Sequence, residues 1–269
     1  MKSKILSIFF LLCGATYADI APKSYDLKLL YNKEKIEGFV QIPKGGQFGT
    51  TSLKRPTFNE MGIDEINFPE LQTQINWEKL SIYGDIKYST FKGEATLKED
   101  LITHSKIIPK NSSFKTKHKY IDYTLGIKYN LYSFKFTKFK PLFEYSIRDF
   151  SYKYKADILN QNNKISGKRS FGWGQANIGM DIINQLTDKY CIETTFKYGV
   201  ANSKVREFYT LDIINKYNIY TDAVKDYQLT FLFGIGYKKL EFKDKQKDRQ
   251  NYIVQKVKPN LIFGLEYKI

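Results

Sequence analysis

His104 and His118 are the only histidines in this 269-residue chain, so imidazole acid–base chemistry or a histidine metal site would have to be built on one of them. Neither stands in a metal-ligand spacing such as HExxH. Ser105 follows His104 directly, but neighbours on an extended chain point to opposite sides, so this imidazole cannot take the proton of its own neighbour. His118 has a better companion, because Asp122, four residues on, lies on the same side of a strand. The polar stretch 43–62 carries Gly45, Gly46 and Gly49, yet it lacks the Gly-Lys-Ser/Thr ending and the following apolar helix of a phosphate cradle. No catalytic residue is assigned on these grounds, and no metal or other cofactor is expected.

What must position these groups is a period of two. Ile121, Tyr123, Leu125, Ile127, Tyr129 and Leu131 alternate with Asp122, Thr124, Gly126, Lys128 and Asn130, the signature of a strand with one apolar and one polar face. Tyr190 to Val200 and Tyr227 to Tyr237 repeat the pattern. Nine such segments are clear, over 25–42, 68–77, 79–96, 118–132, 139–156, 169–183, 189–200, 227–240 and 252–269. Because an up-and-down barrel of one chain takes an even number, the in-step residues Tyr209, Leu211 and Ile213 of 207–214 supply a tenth, followed by a turn around 215–226. Connections alternate between short ones, near Glu78-Lys79 and over 133–138 and 184–188, and long ones over 43–67, 97–117 and 157–168.

The amino terminus reads as a cleavable export signal over 1–18: Lys2 and Lys4, the apolar run Ile5 to Leu12, then Ala15-Thr16-Tyr17-Ala18. The mature domain is then 19–269, and Cys13 leaves with the signal, so Cys191 has no partner for an internal disulfide. Beyond the signal no stretch approaches the roughly 20 apolar residues of a membrane-spanning helix. A closed barrel is the other structure that satisfies every backbone group inside lipid.

The last nine residues place Leu261, Phe263, Leu265, Tyr267 and Ile269 on one side and Ile262, Gly264, Glu266 and Lys268 on the other. With the export signal, this closing strand resembles those of Gram-negative outer-membrane β-barrel proteins, although their last residue is usually Phe rather than Ile. The resemblance implies an all-β, transmembrane, up-and-down antiparallel β-barrel of about ten strands, with eight as the alternative. It implies an integral outer-membrane location, short periplasmic turns, long extracellular loops, and recognition of the last strand by the barrel-assembly machinery. Outer-membrane phospholipases carry a His-x-Ser-Asn-Gly pattern that is absent here. Omptin-type proteases need a rim histidine and paired acids; His118 and Asp122 offer the first part, and no second acidic pair can be placed.

The formal charge is +15, or +13 once Lys2 and Lys4 are removed. A basic balance can serve nucleic acid, but for an exported barrel the nearer polyanion is lipopolysaccharide phosphate, and nucleic acid is not expected as a partner. Lys117, Arg169, Lys54 and Arg55 are the candidates to bind it. Inward charges of both signs, Glu37, Asp85, Lys87, Asp122, Lys128, Glu144, Arg148, Glu193, Lys197, Glu266 and Lys268, should form an interior network, because so narrow a barrel is largely filled by side chains. The expected function is therefore non-enzymatic, in envelope integrity or surface interaction through basic loops. A narrow small-solute channel and an outer-rim hydrolase of lipid or peptide are the alternatives.

Overall fold

A computed structural model describes residues 21–41, 55–103, 106–158, 164–222, 224, 226–246 and 249–269, without the side chains of 245, 246 and 249–251. The export-signal reading falls on residues outside this set, as do Lys54 and the His104-Ser105 pair.

Among the described residues thirteen strands follow one another: β1 Ser24–Gln41, β2 Glu65–Asn76, β3 Leu80–Thr96, β4 Leu101–Thr103, β5 Lys106–Ile108, β6 Ser113–Tyr129, β7 Tyr132–Phe134, β8 Thr137–Asp157, β9 Lys164–Thr187, β10 Tyr190–Gly199, β11 Val205–Asp222, β12 Tyr227–Gln246 and β13 Arg249–Lys268. Ten of them, all but the short β4, β5 and β7, form the barrel wall, each antiparallel to its neighbours. The sheet closes through β1 with β13 and β6 with β8, so no edge is left unpaired. The segment 207–214 is part of the long strand β11, and the turn expected over 215–226 shrinks because β11 pairs with β12 as far as Asp222 with Tyr227. The start of β1 and the end of β13 meet at one end of the barrel, where the backbones of Tyr25 and Ile269 bond reciprocally. This terminal end carries the short turns; the opposite, loop end carries the long connections.

Most strands of the barrel wall are longer than the roughly 9 to 11 residues that cross a bilayer, and the surplus changes character. Along β6, Ile121, Tyr123, Leu125, Ile127 and Tyr129 point outward and Asp122, Thr124 and Lys128 are buried inward. Nine residues at roughly 3.3 Å each, tilted by about 40°, span about 23 Å, close to the apolar band of such barrels. Toward the loop end the alternation keeps its phase while the chemistry swaps sides. Lys119, Lys117 and Lys115 now point out, and Tyr120, His118 and Phe114 point in. Strand β8 does the same: Phe143, Tyr145 and Ile147 face outward against Glu144, Ser146 and Arg148, whereas beyond them Phe150, Tyr152, Tyr154 and Ala156 are buried inside and Lys153 and Lys155 are outside. The terminal half is thus oily outside and polar inside. The loop half is the reverse, like a small water-soluble barrel standing on a membrane one.

The apolar interior of the loop half is completed by its own connections. Phe58, Met61 and Ile63, from the descending arm of the first long loop, are buried with Phe91, Phe114 and Phe150, and Leu97, Leu101 and Ile108 of the next loop join them. The arm is held by an antiparallel bridge between Thr57 and Phe39 and by the Phe58 N–H donating to the Gly38 carbonyl. It passes so close to β3 that a Cβ on Gly93 would stand 2.0 Å from the Met61 carbonyl oxygen. A glycine is required at that inward position for the arm to lie against the wall.

Candidate functional site

Inside the terminal half, the charges are held in a bonded network. Glu144 is its centre: its carboxylate accepts from Lys197 Nζ at 2.7 Å, from the Tyr83 hydroxyl at 2.5 Å and from Asn177 Nδ2 at 2.9 Å. Nearer the terminal end, Lys128 pairs with Asp181 at 2.6 Å, and Lys28 and Lys216 share Glu193 and Glu266. Lys87 lies between Glu70 at 3.1 Å and Asp85 at 3.6 Å. Arg148 forms the upper layer, donating to Asp122 and Gln175, each at 2.7 Å, with its guanidinium 4.3 Å from the Phe208 ring centroid. Lys238, paired with Glu34 at 2.9 Å, lies 5.3 Å from the Phe68 ring centroid in the same way. These two cation–aromatic contacts mark where the polar filling gives way to the aromatic one.

Two members of the expected network stand elsewhere. Glu37 points outward, because Ile36 takes the inward position in the loop half, where the wall is lined with apolar groups. Lys268 keeps the inward phase but sits at the terminal mouth, exposed and outside the ion pairs formed among the described residues. Lys28, Lys216, Lys238, Glu34 and Glu70 were missed by sequence reasoning. Each shows the inward phase of its strand; what sequence lacked was the closure that brings Glu34 and Lys238 together across the sequence.

His118 and Asp122 do share the inner face of β6 but do not form a working pair. The His118 ring stacks on Phe91 at 4.7 Å between centroids, nearly parallel, with Tyr152 at 4.9 Å, Phe150 at 5.6 Å and Phe58 at 6.4 Å. It is fully buried, neither ring nitrogen meets a partner among the described residues, and burial pushes its pKa down to about 3. Asp122 is committed to Arg148 and to the Tyr120 hydroxyl. An imidazole sealed in this way has no access to a substrate proton. Among the described residues no group of His, Cys, Asp and Glu is arranged to hold a metal ion.

The candidate phosphate ligands also separate. Arg169 lies opposite the buried Tyr152 on the inner face of β9, not at a lipid edge, since β9 already begins at Lys164. Arg55 is turned into the protein: it bonds Glu60 at 2.6 Å, Glu99 at 3.3 Å and the Asp100 carbonyl at 3.1 Å, tying the first long loop to the second. Lys117 is the one that faces out, above the apolar band. It has company that sequence spacing could not show. Lys92, Lys117, Lys153 and Lys168 are direct cross-strand neighbours on β3, β6, β8 and β9, all exposed on the outer face. Among the described residues none of the four forms an ion pair. Like charges placed directly opposite one another destabilise a sheet, so this row concentrates positive charge at a cost to the fold.

No known family profile matches the sequence, and no curated protein matches it. Solved structures with a similar course are outer-membrane barrels. The outer membrane protease OmpT from Escherichia coli shares 12% identity, covering 94% of this chain and 98% of its own, with a TM-score of 0.44. The transport unit of the autotransporter AIDA-I from Escherichia coli shares 8% identity over 95% and 93%, with a TM-score of 0.41. Ail, the attachment invasion locus protein of Yersinia pestis, solved with the heparin analogue sucrose octasulfate, shares 9% identity over 91% and 98%, with a TM-score of 0.37. The closed, up-and-down, ten-stranded antiparallel barrel of this chain stands on its own strand pairing. The likeness to those solved structures is one of fold, and no residue role is carried across.

Proposed function

We propose that this chain is an integral outer-membrane β-barrel that works by binding, not by catalysis, and that its row of outward lysines engages lipopolysaccharide phosphate. The observation that carries the reading is the alignment of Lys92, Lys117, Lys153 and Lys168 across four strands, just beyond the apolar band of each strand. Phosphates of the outer leaflet lie at that height, and each supplies several acceptor oxygens for charge-assisted hydrogen bonds. The terminal end then faces the periplasm. The outward Phe263, Leu265 and Tyr267 of β13, with Ile269 just after it, support its recognition by the barrel-assembly machinery.

The sealed His118 box speaks against an outer-rim hydrolase. The channel reading is disfavoured by the filling of the barrel: cavities of about 80 and 60 Å³ lie within the charge network, and the aromatic cluster with the Phe58 and Leu101 segments fills the loop end above them. An interior so occupied serves rigidity.

Thermal unfolding of the reconstituted barrel tests the proposal. Lipopolysaccharide should raise the midpoint relative to phospholipid alone, and high salt should reduce the gain. Changing the four lysines to glutamine should remove most of it, since each basic group near an anionic surface contributes about 1 kcal/mol. Equal midpoints with and without lipopolysaccharide would reject the proposal.

A further inference from the structure

A second basic feature lies at the opposite end and faces away from lipid. The terminal mouth opens into a cavity of about 290 Å³ lined by eight lysines and four carboxylates. Four of the lysines are engaged: Lys28, Lys128 and Lys216 by the interior network and Lys23 by Glu78 at 3.8 Å. The other four, Lys79 from the β2–β3 turn, Lys138 and Lys140 from β8, and Lys268 from the end of β13, form no ion pair among the described residues. Lys140 is half-buried and Lys79, Lys138 and Lys268 are exposed, so the mouth gathers positive charge that its four carboxylates do not match. Ser24, Gln74, Asn76, Ser81 and Asn130 add neutral hydrogen-bonding groups to the wall.

We infer that this mouth is a binding site for a compact multivalent anion of the phosphate or polycarboxylate class. The net positive lining favours an anion, and four unpaired ammonium groups around one mouth favour several negative charges on it. The limited volume excludes a bulky polymer from the recess. The opening runs along the barrel axis, whereas the lipid-facing flank at this level carries Tyr25, Leu27 and Tyr267, so a bilayer headgroup is not its natural occupant. Lys138 and Lys140, successive inward positions of one strand, form the rigid side of the site. Lys79 and Lys268 approach from a turn and a chain end and can adjust.

The chain contains a built-in reporter. Of its two tryptophans, Trp77 lines the cavity and Trp173 is buried in the loop-half cluster. A W173F protein in detergent micelles would be titrated with tripolyphosphate and, separately, with citrate at constant ionic strength, following Trp77 fluorescence. A saturable change with at least one of the two is expected. The active arm identifies the anion class, and K138Q/K140Q should weaken that binding tenfold or more. K117Q/K153Q should leave it unchanged, which separates this site from the outer lysine row. Should W173F fold poorly, calorimetric titration of the native chain against K138Q/K140Q reads the mouth as the difference, because the outer lysine row is common to both. Absence of saturable binding by either anion, or binding indifferent to K138Q/K140Q, would overturn the inference.

Discussion

Replacing Glu144 by leucine should destabilise the folded barrel by about 3–5 kcal/mol, the usual consequence of removing one partner of a buried ion pair. Three donors converge on this buried carboxylate, and its removal leaves the Lys197 ammonium, the Tyr83 hydroxyl and the Asn177 amide facing one another without their acceptor. Lysine is the costly one, because a buried charge without its counter-charge bears its full desolvation penalty. The double change E144L/K197M removes both charges and should recover most of the loss, since an apolar pair of similar volume often replaces an ion pair at little cost. Urea unfolding in detergent micelles measures both. A single variant within about 1 kcal/mol of the native protein, well inside the range expected for an exposed pair, would show that the network is solvated and the lumen open.

Acid should weaken this barrel partly through one ring. In the unfolded chain an imidazole takes up its proton as the pH falls through about 6.5, but in the folded protein His118 resists protonation down to about 3, because burial disfavours the cation. Between these values the unfolded state binds the extra proton, so His118 contributes stability that is present above pH 6.5 and is lost as the pH falls, at about 1.4 kcal/mol per unit. The site lies beyond the apolar band, flanked outside by Lys117 and Lys119, so the transition is not masked by lipid. H118F keeps the stack on Phe91 and sheds two ring nitrogens that lack partners. It should equal or exceed the native protein in stability at pH 7, and the difference should widen toward pH 4. Carboxylates titrate in both proteins and cancel in the comparison. Parallel stability profiles from pH 7 to 4 would contradict the sealed, neutral histidine.

The strands themselves were legible because a two-residue period is a local property. Ile121 to Tyr129 and Tyr227 to Tyr237 could be assigned without any neighbour, and the even-number rule of closed barrels located the strand around Leu211. Sidedness was legible only within the lipid-facing band. Beyond it the phase continues but water replaces lipid outside, so Lys153 and Lys155 are outward for the same reason that Tyr152 and Tyr154 are inward. Assuming polar residues are always inward misplaces Glu37. The fates of Arg55 and Arg169 depend on where a loop folds and where a strand ends, and composition encodes neither. The lysine row arises from register: Lys92, Lys117, Lys153 and Lys168 become neighbours only when four strands are aligned.

The central claim is that lipid surrounds the terminal half and water surrounds the loop half of one continuous barrel. Nitroxide labels at Leu125 and at Lys117, on a C191S background in reconstituted bilayers, test it through collisions with oxygen, which concentrates in lipid, and with a water-soluble nickel chelate. The two positions lie eight residues apart on the same outward face of β6. Oxygen should dominate at Leu125 and nickel at Lys117. Nickel dominance at both positions would contradict a membrane-spanning barrel, and oxygen dominance at both would contradict the inversion on which the lysine row depends.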